Sequence, residues 1–173
     1  MELLSDLVKI LLPASLVLLG MYLVVKNLVT KDFEKKLVEL KQQNTEITLP
    51  LRLQAAERLC LFLERMSLNN LIVRVNETGI TSGQLQQKLH SELRNEFNHN
   101  LSQQVYVSQK GWNSVKKAVQ DITTLINKSS ENIDPNSKSI ELAKQIFDNA
   151  VSLSTDPTTP AIQQVKGEIQ QLF

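Results

Sequence analysis

The chain has 173 residues, enough for one ordinary domain and an anchor, and its 19 Lys and Arg residues nearly balance its 18 Asp and Glu residues. This balance argues against nucleic-acid binding, because proteins that bind nucleic acid carry a strongly basic surface. Glycine and proline number only five each, which favours helices over sheets, and the single cysteine excludes an internal disulfide.

The first predicted element is an apolar helix near the N-terminus. Residues 10–25, ILLPASLVLLGMYLVV, contain no charged side chain. A helix needs about 20 residues to cross roughly 30 Å of hydrocarbon, and the apolar flanks supply them if Lys9 reaches the interface. We therefore predict a transmembrane anchor within residues 1–30. A buried core helix and a cleaved signal peptide are the alternatives, but Glu2 and Asp6 do not fit the basic start of a signal peptide.

The charges that flank this run predict its orientation. Lys26, Lys31, Lys35 and Lys36 follow the run, whereas Lys9 and two acidic residues precede it. Positively charged flanks stay on the cytoplasmic side of a membrane. We expect the N-terminus to lie outside and the rest of the chain to lie in the cytoplasm, with the lipid bilayer as a partner.

The next segment, residues 31–49, is predicted to be an amphipathic helix. Phe33, Leu37, Leu40 and Ile47 follow one another at spacings of 4, 3 and 7, with lysine and glutamate between them. This spacing resembles the heptad seam of a coiled coil. The apolar stripe can pack on the chain's own domain or on another subunit, and the sequence leaves both open.

Pro50 is expected to end that helix, and residues 50–173 are expected to form a helical domain. Residues 51–66 are apolar over most of the helix circumference, which is typical of a helix at the centre of a core. The run LIVRV, residues 71–75, fits either a strand or a short buried helix. The run QVYV, residues 104–107, reads as an extended connector because its residues are β-branched or aromatic.

The remaining helices have recognisable starts. Thr81 or Ser82 caps one helix, with Gln84 completing a capping box, Ser108 caps the next, and Ser137 or Ser139 starts another. A short tail helix follows a loop at residues 154–160. The residues expected to face the core recur at helical spacing: Leu85, Leu89, Leu93, Phe97 and Leu101; Trp112, Val115, Val119, Ile122 and Ile126; Ile140, Ala143, Ile146, Phe147 and Val151; Ile162, Val165, Ile169 and Leu172.

The sequence has no recognisable catalytic or cofactor-binding motif. Glycine-rich phosphate loops, the zinc-protease signature and the nucleophile elbow are all absent from it. Glu96-x-x-His99, with Glu92 nearby, matches half of a di-iron site, but such centres need a second unit and two further glutamates on other helices. We therefore predict no enzyme activity, no cofactor and no metal site.

Two blocks of sequence carry a family resemblance: Leu51–Val75 and Glu92–Trp112. In these blocks the chain resembles a group of small bacterial proteins of unknown function that have one N-terminal membrane span. The resemblance covers most of residues 5–127 and is weak in the last fifty residues. It implies a bacterial inner-membrane protein, and it transfers no functional residue because the group has no assigned activity.

The combined prediction is an all-α protein in which one transmembrane helix continues into a cytoplasmic helical bundle. We expect an interaction or scaffold protein, an accessory subunit of a larger membrane assembly that binds other subunits or a second copy of itself. The candidate interface residues are Phe33, Leu37, Leu40 and Phe173. The alternative is an enzyme or a ligand-binding sensor without a recognisable motif.

Overall fold

The computed structural model describes residues 2–153 and 155–171, and within residues 2–14 it describes the side chains of Lys9 and Leu11 only. The described residues contain no β-strand, so the prediction of an all-α fold is confirmed. The helices are α1 (Glu2–Met66), α2 (Leu68–Val75), α3 (Ser82–Asn100), α4 (Gln109–Ser130), α5 (Ser139–Val151) and α6 (Thr158–Gln170), with a 3-10 helix at Leu101–Val105.

The chain divides into two units, residues 1–49 and residues 50–173. The boundary falls inside α1, which is helical on both sides of Pro50. The prediction that Pro50 ends a helix was therefore wrong. Proline removes one backbone donor but keeps a helical φ, and the leucine, glutamine, alanine and arginine residues after it are strong helix formers.

The core of the second unit is built around the last turns of α1, as their apolar circumference predicted. Leu59, Leu63 and Met66 are at most 1% exposed. They join one cluster with buried side chains from every other helix: Leu71 and Ile72 of α2, Leu85 and Leu89 of α3, Val115 and Ile122 of α4, Leu142 and Ile146 of α5, and Ile162 and Val165 of α6.

The predictions for residues 71–75 and 104–107 have different outcomes. LIVRV lies in α2, with Leu71, Ile72 and Val75 buried, so the buried-helix alternative is the observed one. The prediction of an extended connector at residues 104–107 was wrong, because Gln104 and Val105 end the 3-10 helix and the backbone of Tyr106 also has helical angles. Only three residues separate this 3-10 helix from α4. A connection this short keeps the chain tightly turned, which outweighs the strand preference of Val105 and Tyr106.

The predicted helix starts agree with the observed caps of α3 and α4. Thr81 Oγ1 accepts a hydrogen bond from Gln84 N at 3.3 Å, and Gln84 Oε1 accepts one from Thr81 N at 3.0 Å. Ser108 Oγ accepts from Gly111 N at 3.0 Å. These local bonds satisfy backbone donors that the first helical turn leaves unpaired.

The predicted inner face of α5 was partly wrong. Ala143 and Ile146 are buried, but Ile140 and Val151 are 61% and 85% exposed, and Leu142 is buried instead. Because α5 carries apolar residues on two faces, its spacing alone does not fix the side that packs against α3 and α4. The packing of α3 and α4 selects the face that contains Leu142.

Candidate functional site

The first unit exposes a long run of apolar side chains. The residues concerned are each 51–67% exposed: Leu16, Val17, Leu18, Leu19, Met21, Tyr22, Leu23, Val24, Val25, Leu28 and Val29. Soluble proteins rarely expose contiguous apolar patches of this extent unless the patch meets a protein or a membrane. This run, which we call the apolar segment (residues 16–29), is the leading candidate for an interaction surface.

Among the residues that the structure describes, no helix is both long enough and apolar enough to cross a membrane. The span predicted within residues 1–30 falls partly on side chains at 1–8, 10 and 12–14, which lie outside the described residues.

The predicted interface residues form a second exposed stripe, directly after the apolar segment. Phe33, Leu37 and Leu40 are 64%, 44% and 55% exposed, and Ile47 continues their stripe. These side chains are therefore accessible to a partner, although their role as an interface stays a prediction. Phe173 lies outside the described residues.

The second unit has a groove between α4 and the loop that joins α5 to α6. Its volume is about 510 Å³, within the range of small-molecule sites. Ala118 and Leu125 of α4 and Ala161 of α6 line it and are buried, while Lys117 and Asp121 form an ion pair of 2.6 Å at its rim. This groove has no signal in the sequence, because its lining comes from two separate parts of the chain.

The two glutamates of the incomplete di-iron motif, Glu92 and Glu96, both form ion pairs. Glu96 Oε1 accepts hydrogen bonds from Arg65 Nε at 2.9 Å and from Arg65 Nη2 at 2.5 Å. Glu92 pairs with Arg74 at 3.1 Å. In the described part of the chain, no three histidine, cysteine or acidic side chains are grouped to hold a metal ion. The two glutamates connect α3 to α1 and α2, so their charges stabilise the packing of these helices.

Asp156 joins the beginnings of two helices. Its Oδ1 accepts from Thr158 N at 2.8 Å and from Thr158 Oγ1 at 2.7 Å, which caps α6. Its Oδ2 accepts from Leu68 N at 3.2 Å, at the start of α2. A carboxylate is favourable at both places because the N-terminal end of a helix carries a partial positive charge.

Replacing Asp156 with alanine is expected to lower the free energy of unfolding by about 1–2 kcal/mol, because two helix starts lose their acceptor. Asp148→Ala is the matched control, since Asp148 is exposed on α5 and should change stability by less than about 0.5 kcal/mol. Urea unfolding followed by circular dichroism measures both. Equal effects of the two substitutions would contradict the capping role of Asp156.

Glu168 of α6 connects its helix to the start of α4. Its Oε2 accepts from Ser108 N at 3.1 Å, its Oε1 accepts from Ser108 Oγ, and Gln164 Nε2 donates to Oε1 at 3.0 Å. A Cβ atom at Gly111 would lie 2.7 Å from Oε1, so glycine makes this approach possible. Burial raises the pKa of Glu168, but the hydrogen bonds from Ser108, Gln164 and Gly111 outweigh it and lower the pKa below its ordinary value.

Glu168→Gln is expected to lower stability by about 1 kcal/mol at neutral pH, a modest value because the carboxylate remains partly solvated. A lowered folded-state pKa means that the stabilisation is present above the ordinary glutamate pKa and is lost as the pH falls through the folded-state value. The difference in free energy of unfolding between wild type and variant should therefore become smaller at acidic pH. Urea unfolding at several pH values tests this, with the exposed Glu57→Gln as control. A difference that is constant with pH would contradict the assignment.

Cys60 is a half-buried side chain packed against the core. Burial raises the pKa of its thiol, Lys166 lowers it, and Glu64 raises it, with a net increase. A thiol with a raised pKa is protonated at neutral pH and is a weak nucleophile. Cys60 therefore acts as a small apolar residue rather than as a reactive group.

A family model now places the chain among known sequences, with residues 2–172 matched. The chain belongs to the family of unknown function DUF7935. This confirms the expectation of an unknown-function family, and the match extends to residue 172, across the C-terminal part where the resemblance in the two blocks is weak. No curated protein and no solved structure matches the chain. The family has no assigned activity, so it transfers none to this chain.

Proposed function

We propose that this protein is a membrane-anchored interaction protein that serves as an accessory subunit of a larger bacterial inner-membrane assembly. The observation that carries the proposal is the apolar segment, whose side chains are more than half exposed at every apolar position. Transfer of such side chains out of water is favourable by about 1 kcal/mol or more each, so the segment as a whole strongly favours an apolar environment.

Details of the apolar segment fit a bilayer better than a protein groove. From Leu16 to Val25 the segment is apolar on all sides of the helix, whereas a helix that docks in a groove needs only one apolar stripe. At its C-terminal end, Lys26 Nζ lies 6.0 Å from the centre of the Tyr22 ring. Aromatic and basic side chains commonly lie together at the membrane interface. The lysines that follow favour a cytoplasmic location for residues 31–173, with the N-terminus outside.

In the second unit, four carboxylates bind other parts of the same unit, and this supports an interaction role. Glu92 and Glu96 pair with arginines, and Asp156 and Glu168 bind helix starts. Each of these carboxylates holds two elements together. A catalytic site needs acid and base groups that converge on a substrate, and these four groups are instead committed to structure.

The proposal is tested by gentle detergent extraction of native membranes, followed by pull-down of the full chain and mass spectrometry of the proteins that copurify. We expect the chain in the membrane fraction with a stoichiometric partner. The triple variant Phe33→Glu, Leu37→Glu, Leu40→Glu should stay in the membrane but lose whichever molecule binds this stripe, another subunit or a second, differently tagged copy of the chain. Recovery of wild-type chain without any partner, or from the soluble fraction, would contradict the proposal.

A ligand-binding role is the second candidate, and the groove beside α4 is the observation that favours it. Its apolar lining and charged rim match the usual composition of small-molecule sites. Thermal unfolding of the purified full chain in detergent, with and without a library of small apolar acids and amines, tests this role. A stabilising compound should lose its effect when Thr124→Trp fills the groove, and a library without any stabilising compound would count against the candidate.

A further inference from the structure

The exposed stripe of the first unit has a regular repeat that extends beyond its apolar members. Phe33, Leu37, Leu40, Asn44 and Ile47 follow one another at spacings of 4, 3, 4 and 3, and all five are exposed. This is the alternation of a and d positions in a coiled coil, with Leu37 and Asn44 at a. We call these five residues the seam.

We propose that two copies of this chain pair through the seam as a parallel, in-register coiled coil over residues 33–47. The proposal rests on the proposed function in one respect: a shared membrane anchor gives every copy the same orientation and keeps the copies close together. A seam of two heptads is too short to associate strongly from dilute solution, and anchoring raises the effective concentration of one copy around another.

Asn44 is the residue that selects this partner and this alignment. A single asparagine at an a position fixes register and favours two strands, because the two amides can bond to each other across the seam. In a parallel, in-register pair, each Asn44 faces the same residue of the other copy. An antiparallel pair brings a positions against d positions and places Asn44 opposite Leu40, and a slip by one heptad places it opposite Leu37. A buried amide without a partner weakens either alternative roughly tenfold or more.

Two lysines beside the seam oppose the pairing weakly. Lys36 occupies a g position and Lys41 the following e position, so they face each other between the copies. Repulsion between exposed like charges weakens association by about twofold per pair and is screened by salt. Each apolar seam residue that becomes buried strengthens association by about tenfold or more. The apolar residues therefore determine whether the two copies associate, and the lysines make the strength of association sensitive to charge substitutions.

Disulfide crosslinking of the full chain in native membranes tests the pairing. In a Cys60→Ala background, Leu37→Cys and Leu40→Cys place a thiol on the seam, and Gln42→Cys places one on the outer face as the matched control. After mild oxidation, we expect the two seam variants to form a covalent dimer and the control to remain monomeric. Equal crosslinking at all three positions, or none on the seam, would overturn the proposal.

Gel electrophoresis of the crosslinked membranes also distinguishes a failure of this inference from a failure of the proposed function. Adducts of a different mass would show that another protein occupies the seam, which overturns self-pairing and leaves the accessory-subunit proposal intact. Recovery of the chain in the soluble fraction would contradict the anchor, and crosslinking in that fraction would then decide on pairing alone.

Charge reversal at the edge of the seam provides a second test. A second copy of the chain and an acidic partner helix would respond to it with opposite changes in binding strength. Lys41→Glu replaces two repulsive pairs with two attractive ones, each change being worth about twofold, so we expect the crosslinked fraction of the Leu40→Cys chain to correspond to association that is tighter by about tenfold or more. An acidic partner helix would instead bind this variant more weakly. Lys35→Glu on the outer face is the control and should change nothing. A weaker dimer with Lys41→Glu would overturn the parallel alignment.

Discussion

Replacing Leu18 and Leu19 together with aspartate is expected to move the protein from the membrane fraction to the soluble fraction. Each aspartate at the centre of a membrane helix costs about 3 kcal/mol on insertion, so the pair removes about 6 kcal/mol. That change corresponds to a partition ratio lower by more than about a thousandfold. Both side chains are exposed in the structure, at 67% and 57%, so the substitution disturbs no packing within the unit.

The measurement is fractionation of alkaline-washed membranes followed by immunoblotting of the full chain. The matched control adds two aspartates outside the apolar segment, as Gln42→Asp and Thr45→Asp, and should leave the protein in the membrane fraction. If the segment were an exposed helix in water, the Leu18 and Leu19 substitutions would improve its solubility and leave its fractionation unchanged. That result would contradict the anchor.

The parts of the fold that the sequence predicted are those governed by local rules. The start of α3 follows from Thr81 and Gln84, whose side chains and backbones bond within four residues of each other. The central position of Leu59, Leu63 and Met66 follows from the apolar circumference of this part of α1, because exposing it to water is unfavourable. In both cases the information lies within one or two helical turns, which is the range over which periodicity and capping act.

The errors arose where distant packing decides between two local possibilities. Residues 104–107 have the composition of a strand, but Gln104 and Val105 lie in the 3-10 helix and Tyr106 in a turn, because only a short connection links α3 to α4. In α5, Leu142 is buried in place of Ile140 because the neighbouring helices select one of two apolar faces. At Pro50 the helix formers on both sides outweigh the loss of one backbone donor, so α1 continues through the proline.

The candidate sites divide in the same way. Phe33, Leu37 and Leu40 were recognisable because a seam is a local repeat. The contacts of Asp156 and Glu168 were not, because Asp156 binds a backbone group 88 residues away and Glu168 binds one 60 residues away. Their sequence signal is only an acidic residue in a loop or on a short helix, which is common in any helical protein. Long-range caps of this kind become visible only when the helices have been placed.

Phe62→Ala is expected to lower the free energy of unfolding of the second unit by about 3–5 kcal/mol. Phe62 is 2% exposed, and its ring centre lies 6.3 Å from that of Phe97, which in turn stacks on Trp112 at 5.6 Å. The substitution removes the outer ring of this series and leaves a cavity between α1 and α3. Stabilities of single domains are about 5–15 kcal/mol, so a loss of this size removes a large share of the total.

Trp112 is the only tryptophan of the chain and is 5% exposed, so its fluorescence reports directly on this part of the core during urea unfolding. Leu61→Ala is the matched control, because Leu61 is the neighbouring residue on α1 and is 57% exposed. It should cost less than about 0.5 kcal/mol. Phe62→Leu should fall between the two, because it keeps most of the buried volume. If Leu61→Ala were as costly as Phe62→Ala, α1 would present a different face to the bundle, and the assignment of Leu59, Leu63 and Met66 to the core would fail with it.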